Sequence, residues 1–240
     1  MEDFSSVDLP SLKALHLTAV KFFKPLHLIE LLNGCLNLEN LEAKHISFEE
    51  FDAKERTSFQ EFDDHSFKGK VKPLSNLVRA DVSFSMVKMQ NVVDLFPIDE
   101  FLRLEEFSDP VFPNLIHMEL TSGGKPLQWK SVLNFLHHSP QLQMFVLRGL
   151  IAASFEDWLT PPRVPECFSS KLRTCFLTKF TGKKSEMGFS KFVLQNSTVL
   201  GNMTIFCFYR VSRDEKKMAE IRIELDSCPW SSATCKLLLK

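Results

Sequence analysis

The sequence predicts an α/β repeat fold, with parallel strands on a concave face and helices or irregular segments on the convex face. Three observations predict it. A triplet of apolar residues, at the first, fourth and sixth positions of a six-residue stretch, returns seven times along the 240 residues. Most triplets are separated by about one repeat unit of roughly 20–29 residues. Short segments with helical spacing of apolar residues precede several of the triplets.

The triplets have the L-x-x-L-x-L spacing of leucine-rich repeats. They are Leu12/Leu15/Leu17, Leu38/Leu41/Ala43, Leu77/Ala80/Val82, Leu115/Met118/Leu120, Leu142/Phe145/Leu147, Leu172/Cys175/Leu177 and Leu200/Met203/Ile205. Because a single unit of this kind cannot bury its apolar face alone, neighbouring units must stack. The frame therefore predicts a leucine-rich-repeat solenoid, a horseshoe in which each triplet lies on one strand.

The first unit begins with a strand over residues 9–17, in which His16 points away from Leu15 and Leu17. Pro25 then introduces a segment whose apolar residues have helical spacing, which predicts a convex-side helix over residues 27–34. Gly34 is expected to end this helix in a left-handed conformation. The second strand follows at residues 38–43.

Two of the steps between triplets carry about ten extra residues each. Residues 49–72 are polar and charged, and they predict an irregular excursion because few apolar side chains are present to offset the entropy of ordering them. Residues 92–97 and 101–102 are more apolar and fit a degenerate repeat.

The second half of the chain is more regular. Amphipathic helices are predicted over residues 129–136 and 189–194, each before a triplet. A final helix is predicted around residues 216–221 and a last strand over residues 234–239. A terminal unit of this kind is needed to cover the open end of a repeat stack.

The sequence departs from the common repeat consensus, which places Asn or Cys three residues after the sixth position. Those places hold Val20, Ile46, Ser85, Gly123, Leu150, Phe180 and Phe208. We therefore expect no asparagine ladder, and an irregular curve held by packing among the 23 phenylalanines.

Composition argues against several classes of function. The formal net charge is −1, with 29 basic and 30 acidic residues, so no positive field favours nucleic acid or anionic membranes. Charged residues interrupt every apolar run before the roughly 18–20 residues that a membrane helix needs. The first residues show no secretory signal, so a cytoplasmic or nuclear location and six reduced, mostly core cysteines are expected.

No catalytic motif stands out, and we predict a protein that is not an enzyme and has no cofactor. Gly123-Gly124-Lys125 lacks the spacing of a phosphate-binding loop and is expected to form a turn. His137 and His138 are adjacent, and adjacent helical residues point about 100° apart, so surface histidines are expected instead of a metal site.

The run W-x-x-P-P-x-x-V-P-x-C-x-x-x-x-L, from Trp158 to Leu172, resembles the opening of the FBD domain of plant F-box/leucine-rich-repeat proteins. Phe180-Thr-Gly182 with Glu186 and residues 189–204 resembles the helix and strand of that domain. Cys228-Pro229 through Leu237 resembles the segment that closes it. The resemblance implies leucine-rich repeats over residues 1–150 and an FBD domain over residues 151–240 that continues and caps the solenoid.

The same resemblance implies a non-catalytic module that binds a protein substrate for a cullin ubiquitin ligase. In that family an F-box precedes the repeats and docks on the ligase adaptor, whereas this sequence begins in a repeat. Adaptor binding is therefore expected only if an F-box is supplied. Two alternatives stay open: a small-ligand or hormone sensor, favoured by a pocket enclosed by Arg79, His117 and Arg148, and a truncated remnant without a ligase role.

The residues that flank the triplet positions are expected on the concave side, because strand side chains alternate between faces. From these we predict a partner-binding surface. Its members are His16, Glu42, Lys44, Arg79, Asp81, His117, Glu119, Met144, Val146, Arg148, Phe176 and Phe206.

The predicted surface changes character along the chain. Its first part carries mixed charge and histidine, whereas its last part carries Met144, Val146, Phe176 and Phe206. We expect the charged part to supply specificity and the apolar part to supply contact area. The alternative is that a loop or the C-terminal segment covers the apolar side chains. Exposure of Phe176 and Phe206 distinguishes the two.

Overall fold

In a computed structural model of the protein, the strands form one open parallel sheet and helices pack against one of its faces. The structure describes residues 7–22, 25–48, 72–84, 111–121, 129–149, 161 and 163–240. The two predicted excursions, Gly123-Gly124-Lys125 and the start of the FBD-like run lie largely or wholly outside these residues.

Nine strands and six helices are present in the described part of the chain. The strands are β1 (Ala14–Thr18), β2 (Lys21–Phe22), β3 (Asn40–Phe48), β4 (Arg79–Phe84), β5 (His117–Thr121), β6 (Met144–Arg148), β7 (Thr174–Phe180), β8 (Asn202–Cys207) and β9 (Lys236–Leu239). The helices are α1 (Pro25–Asn33), α2 (Trp129–His137), α3 (Glu166–Ser170), α4 (Lys184–Asn196), α5 (Tyr209–Ser212) and α6 (Glu215–Asp226).

Eight of these strands lie side by side in the order β1-β3-β4-β5-β6-β7-β8-β9, and β2 pairs separately with β3. Every strand pairing among the described residues is parallel, and β6 and β7 pair without interruption. The fourth triplet positions are in register from Leu15 through Phe145 to Met203, and Leu237 of β9 continues the same line. The predicted α/β class and parallel sheet are confirmed.

A recurring backbone contact fixes this register. The carbonyl of Glu39 accepts hydrogen bonds from the N–H groups of Val78 and Arg79, at 2.8 and 3.2 Å. The carbonyl of Arg173 accepts in the same way from Gly201 and Asn202, at 2.9 and 3.1 Å. Because one carbonyl ties two successive amides of the next unit, each strand starts level with its neighbour.

The core lies between the triplet face of the sheet and the helices. Leu142, Phe145 and Leu147 of the central unit are at most 1% exposed. Phe145 meets Phe189 of α4 with ring centroids 6.5 Å apart. The helices predicted at 27–34, 129–136, 189–194 and 216–221 are therefore confirmed in position as α1, α2, α4 and α6.

Strand ends bend at a left-handed residue two places after the sixth triplet position. Ala19, His45 and Lys179 have φ between 55° and 59°, and Gly149 has φ 142°. The pairing of β3 with β4 and of β7 with β8 shifts register near His45 and Lys179. The next residue is buried in the core, since Ile46 and Phe180 are 0% and 3% exposed.

An asparagine ladder exists, contrary to expectation, and its members lie one residue before three of the seven triplets. Asn37 donates from Nδ2 to the Pro10 carbonyl at 2.7 Å, and Asn76 donates to the Leu36 carbonyl and to Asn37 Oδ1. Asn114 donates to the Ser75 carbonyl at 2.7 Å. The prediction was wrong because it was based only on the consensus position, three residues after the sixth triplet position. The ladder ties the N-terminal units together ahead of their strands.

Two smaller expectations were wrong. Gly34 does not have a positive φ, and its importance is steric, because a Cβ there would lie 2.1 Å from the Val7 carbonyl oxygen. His138 is 8% exposed and so is not a surface residue.

The six cysteines are all described, and all are free thiols. Cys35, Cys167 and Cys175 are buried, and the other three are partly buried. Burial raises the pKa of Cys175 to about 12, so this thiol stays protonated at neutral pH.

Replacing Gly34 by Ala should destabilise the protein by about 1–3 kcal/mol, because the added methyl group forces the Val7 backbone away from α1. Gly201→Ala is the matched control, since its Cβ would meet the Arg173 carbonyl oxygen at 3.6 Å, an ordinary contact. Chemical unfolding of both variants measures the difference. Equal stabilities would show that the N-terminal segment does not lie against Gly34.

Asn114→Ala should lower the free energy of unfolding by about 0.5–1.5 kcal/mol, the usual contribution of one hydrogen bond. Asn202→Ala serves as the control, because Asn202 is an exposed strand residue whose side chain makes no hydrogen bond to the described residues. Its effect should stay within about 0.5 kcal/mol. If the two variants unfold at the same urea concentration, the Asn114 hydrogen bond does not stabilise the protein, which would contradict the ladder.

Candidate partner-binding face

The sheet face opposite the helices, called here the polar face, carries the side chains that alternate with the triplets. One line of residues crosses all eight strands of the sheet in register, and we call it the central row. It consists of His16, Glu42, Asp81, Glu119, Val146, Phe176, Thr204 and Leu238.

The other predicted surface residues flank this row on the same face. Arg79, His117 and Met144 are in register on one side. Lys44, Arg148 and Phe206 lie on the other side, two residues beyond central-row positions. The structure thus brings all twelve predicted residues to one face.

Three carboxylates stand next to one another in the central row, on β3, β4 and β5. Glu42 pairs in register with Asp81, and Asp81 pairs with Glu119. Neighbouring strands are about 4.8 Å apart, so like charges in this arrangement repel and oppose folding. Cations from the flanks offset part of this repulsion.

Glu42 is the best compensated of the three. Lys44 donates to its Oε1, and His16 Nδ1 lies 2.9 Å from its Oε2. The hydrogen bond from Lys44, followed by that from His16, lowers the pKa of Glu42. Glu42 is therefore ionised at neutral pH and holds the Lys44 ammonium group beside it.

Glu119 is compensated by Arg148, whose guanidinium forms an ion pair with it through Nε. Arg148 Nη2 also lies 3.5 Å from Glu119 Oε2, so the contact is two-pronged. The hydrogen bond to Glu119 raises the pKa of Arg148. This pair joins β5 to β6 on the polar face.

Asp81, between these two, is less well compensated. Lys44 Nζ is 3.7 Å from its Oδ2, beyond hydrogen-bonding distance, and that ammonium group is already engaged by Glu42. Burial, followed by repulsion from Glu119, raises the pKa of Asp81. Asp81 is thus the least compensated charge in the central row.

His117 lies beside Asp81 and Glu119 and is a neutral imidazole at physiological pH. Burial lowers its pKa, and the nearby Arg79 guanidinium lowers it further. Its Nε2 atom is buried and makes no hydrogen bond within the described part of the chain.

A hollow of about 320 Å³ opens on the charged end of the polar face, between β1, β3 and β4. It is lined by Ala14, His16, Asn40, Leu41, Glu42, Lys44, Arg79 and Asp81. Neither His117 nor Arg148 lines it, so it is not the pocket expected for a small-ligand sensor.

The C-terminal end of the polar face is apolar and partly exposed. Phe206 is 38% exposed, and Lys240 Nζ lies 5.4 Å from the centre of its ring. Phe176 is half-buried, but Val146 is only 5% exposed and contributes little surface. Val146 pairs in register with Glu119 on one side and with Phe176 on the other.

Leu238, which is 47% exposed, was not among the predicted surface residues. Its position could have been predicted from the strand over residues 234–239, because side chains alternate along a strand and Leu238 follows the core residue Leu237. Leu238 extends the apolar end by one strand.

Within the described ranges, no group of three or more His, Cys, Asp or Glu side chains is placed to hold a metal ion. The helices of those ranges also include none that is long and apolar enough to cross a bilayer.

Residues 161–205, called here the FBD segment, match the FBD family model, and of the twelve predicted surface residues only Phe176 lies in this segment. An FBD-associated F-box protein of Arabidopsis thaliana is 29% identical over 71% of this chain and 41% of its own length. An F-box/FBD/LRR-repeat protein of the same plant is 25% identical over 97% of this chain and 63% of its own length.

The chain is similar to plant F-box/FBD/LRR-repeat proteins. It spans about 41% to 63% of the length of these two relatives. No solved structure matches it. The predicted resemblance is confirmed.

The FBD segment supplies α3, β7, α4 and most of β8, and therefore the apolar Phe176. The first turn of its helix α4 contains a buried acid, Glu186, which is 2% exposed. Glu186 Oε2 accepts hydrogen bonds from the Thr181 N–H at 2.8 Å, the Thr181 hydroxyl at 2.9 Å and the Lys183 N–H at 3.2 Å. These contacts fix the turn between β7 and α4.

Asp81→Asn should stabilise the protein at neutral pH, because the folded state raises the pKa of this carboxyl. The native state then holds the proton more tightly than the unfolded state, so ionisation costs stability as the pH rises through the native pKa. The advantage of the Asp81→Asn protein should shrink as the pH falls to about 3, where the carboxyl is neutral in both states.

Urea unfolding of both proteins between pH 3 and 7 measures this difference. Asp226→Asn is the control, since Asp226 is an exposed helix residue paired with Arg222 at 2.8 Å. A destabilised Asp81→Asn protein at pH 7 would contradict the account of Asp81.

Proposed function

We propose that this chain is a non-catalytic protein-recognition module that holds its partner on the polar face. In this proposal the sheet curves as a leucine-rich-repeat horseshoe with the polar face inside. Residues 1–150 form the repeats, and residues 151–240 form an FBD domain that continues and caps them. The in-register parallel strands and the names of the relatives support this architecture.

One observation carries the functional proposal: a single row of side chains crosses eight strands and passes from charged to apolar. The charged part would select a partner, and the apolar part would supply contact area. Protein interfaces combine an apolar centre with polar surroundings in this way. Exposed apolar side chains next to such charges are typical of a binding surface.

We further propose that the chain serves as the substrate-binding part of a cullin-type ubiquitin ligase subunit. The relatives are named as F-box proteins, and an F-box is the segment that would dock on the ligase adaptor. Adaptor binding would then require an F-box joined to the repeats. The second candidate, a small-ligand sensor, has less support, because the hollow is lined mainly by polar side chains whereas small-ligand sites are mostly apolar.

The proposal is tested by affinity purification from plant extract with the wild-type chain and two variants. Phe206→Asp places a charge on the polar face, whereas Ile223→Asp places one on α6, where Ile223 is 69% exposed. Proteins bound to the wild type should be retained by Ile223→Asp and lost with Phe206→Asp. Equal retention by both variants would contradict binding at the polar face.

A parallel arm uses the chain with an F-box fused ahead of residue 1. The ligase adaptor should be recovered with the fusion and not with the 240-residue chain alone. Recovery of the adaptor by the chain alone would overturn the proposed role of the F-box.

A further inference from the structure

The edge of the sheet where β7 and β8 end carries a dense group of cations, and we call it the basic edge. It consists of residues 179–187 and 208–218, which run from the two strand ends into the first turns of α4 and α6. Seven of the 29 basic residues of the chain lie in these two segments, together with three of its 30 acidic residues. The basic edge therefore has a net charge of +4, whereas the rest of the chain has −5.

Two contacts hold these segments side by side. The N–H of Phe208 donates to the Phe180 carbonyl at 2.7 Å. Lys217 of α6 lies against the turn before α4, since a Cβ placed on Gly182 would be 3.4 Å from the Lys217 Cε atom. The cations of both segments therefore share one surface, on which six are exposed and Lys217 is half-buried. They are Lys179, Lys183, Lys184, Arg210, Arg213, Lys216 and Lys217.

The acids of the basic edge do not form ion pairs with most of these cations. Glu186 is buried and accepts hydrogen bonds from the backbone N–H groups of the turn before α4. Asp214 Oδ1 accepts from the Lys217 N–H at 3.0 Å and so caps α6. Within the described ranges, five of the seven cations make no ion pair, namely Lys179, Lys183, Arg213, Lys216 and Lys217. Their like charges repel one another at close range.

Arg210 is held in position by a neutral group. Its Nε donates to the Tyr209 hydroxyl at 2.9 Å, and its guanidinium carbon is 5.7 Å from the centre of the Tyr209 ring. The Phe208 ring in turn lies 4.7 Å from the Tyr209 ring, centre to centre. The bond to the phenol uses one of the five guanidinium donors and leaves the positive charge uncompensated. A guanidinium group fixed in this way is suited to a carboxylate, which it can bind through two parallel hydrogen bonds.

The distribution of charge over the chain favours a short anionic partner. Nucleic acid carries charge along its whole length and an anionic membrane is broad, so either would also meet the net negative remainder of the molecule. That remainder includes the adjacent carboxylates of Glu42, Asp81 and Glu119 in the same sheet. A short protein segment rich in aspartate and glutamate contacts the basic edge alone.

We propose that the basic edge binds an acidic segment of a protein partner and is a second contact surface, separate from the polar face. Carboxylates of the partner would form ion pairs with the cations and relieve the repulsion among them. Charge complementarity of this kind selects partners and speeds association, and salt weakens it. The proposal does not depend on binding at the polar face.

The test measures, by fluorescence anisotropy, the binding of two labelled twelve-residue peptides to the 240-residue chain. In one peptide glutamate alternates with serine, and in the other glutamine replaces glutamate. The glutamate peptide should bind at least about tenfold more tightly, and its Kd should rise with salt. The double variant Arg213→Glu/Lys216→Glu should raise that Kd at least about tenfold. This variant should fold, because acidic residues are favourable at the start of a helix such as α6.

Arg173→Glu/Lys236→Glu is the matched control, since both residues are exposed and lie where β7 and β9 begin, at the opposite edge of the sheet. It changes the net charge by the same amount and should leave the Kd within about threefold. Lys179→Glu/Lys183→Glu alters the other segment of the basic edge and should weaken binding about as strongly as Arg213→Glu/Lys216→Glu. Circular dichroism shows whether each variant is folded.

Three results would overturn the proposal. Equal binding of the two peptides would show that carboxylates are not recognised. Equal losses in the basic-edge and control variants would show a response to net charge alone. Tighter binding of oligothymidine or of phosphatidylserine vesicles than of the glutamate peptide, lost in the same basic-edge variants, would assign this edge to another class of partner. None of these results bears on capture through Phe206 of the polar face, so the two proposals can fail separately.

Discussion

The structure depends on the hydrogen bond that fixes each repeat unit to the next. One carbonyl just before the strand accepts from two successive N–H groups of the following unit, as Glu39 does for Val78 and Arg79. Because a slip of one residue would turn every side chain of a strand to the opposite face, this contact decides which residues reach the core and which reach the polar face. The central row exists because the contact recurs from one unit to the next.

Sequence periodicity was sufficient to locate the strands, because a triplet of apolar side chains marks the buried half of each one. Because side chains alternate between the two faces of a strand, the residues next to the triplet positions could be assigned to the polar face. All twelve predicted surface residues lie there. Local contacts were not predictable in the same way. The close approach of Val7 to Gly34 joins residues 27 positions apart, and no local pattern announces it. The ladder of Asn37, Asn76 and Asn114 was visible in the sequence but stood outside the consensus position.

The sequence also did not predict which side chains of the polar face are buried. Phe176 and Val146 look equivalent in the pattern, yet Val146 is 5% exposed and Phe176 is half-buried. The order of residues along one strand does not specify this difference. The charge pairing was also not predictable from the sequence: Glu42 and Glu119 accept hydrogen bonds from Lys44 and Arg148, whereas Lys44 approaches Asp81 only to 3.7 Å. Pairing of charges across strands depends on side-chain reach as well as on register.

The two halves of the chain contribute different chemistry to one surface. The N-terminal units place three adjacent carboxylates on it at a cost in electrostatic repulsion. The FBD segment places Phe176 on it and anchors the following helix through the buried Glu186. Since β6 and β7 pair in register, the charged and apolar parts are held at a fixed distance.

The central claim is that the strands lie side by side in register across the whole sheet, and distances between spin labels on the polar face test it most directly. Labels are placed at exposed residues of one flanking row, in the pairs Arg79/Asn202 and Asn40/Asn202, with Cys207, Cys228 and Cys235 changed to serine. These pairs are four and five strands apart, so the account predicts distances of about 19 and 24 Å, an increase of one strand spacing. Equal distances, or a shorter one for the Asn40 pair, would contradict it.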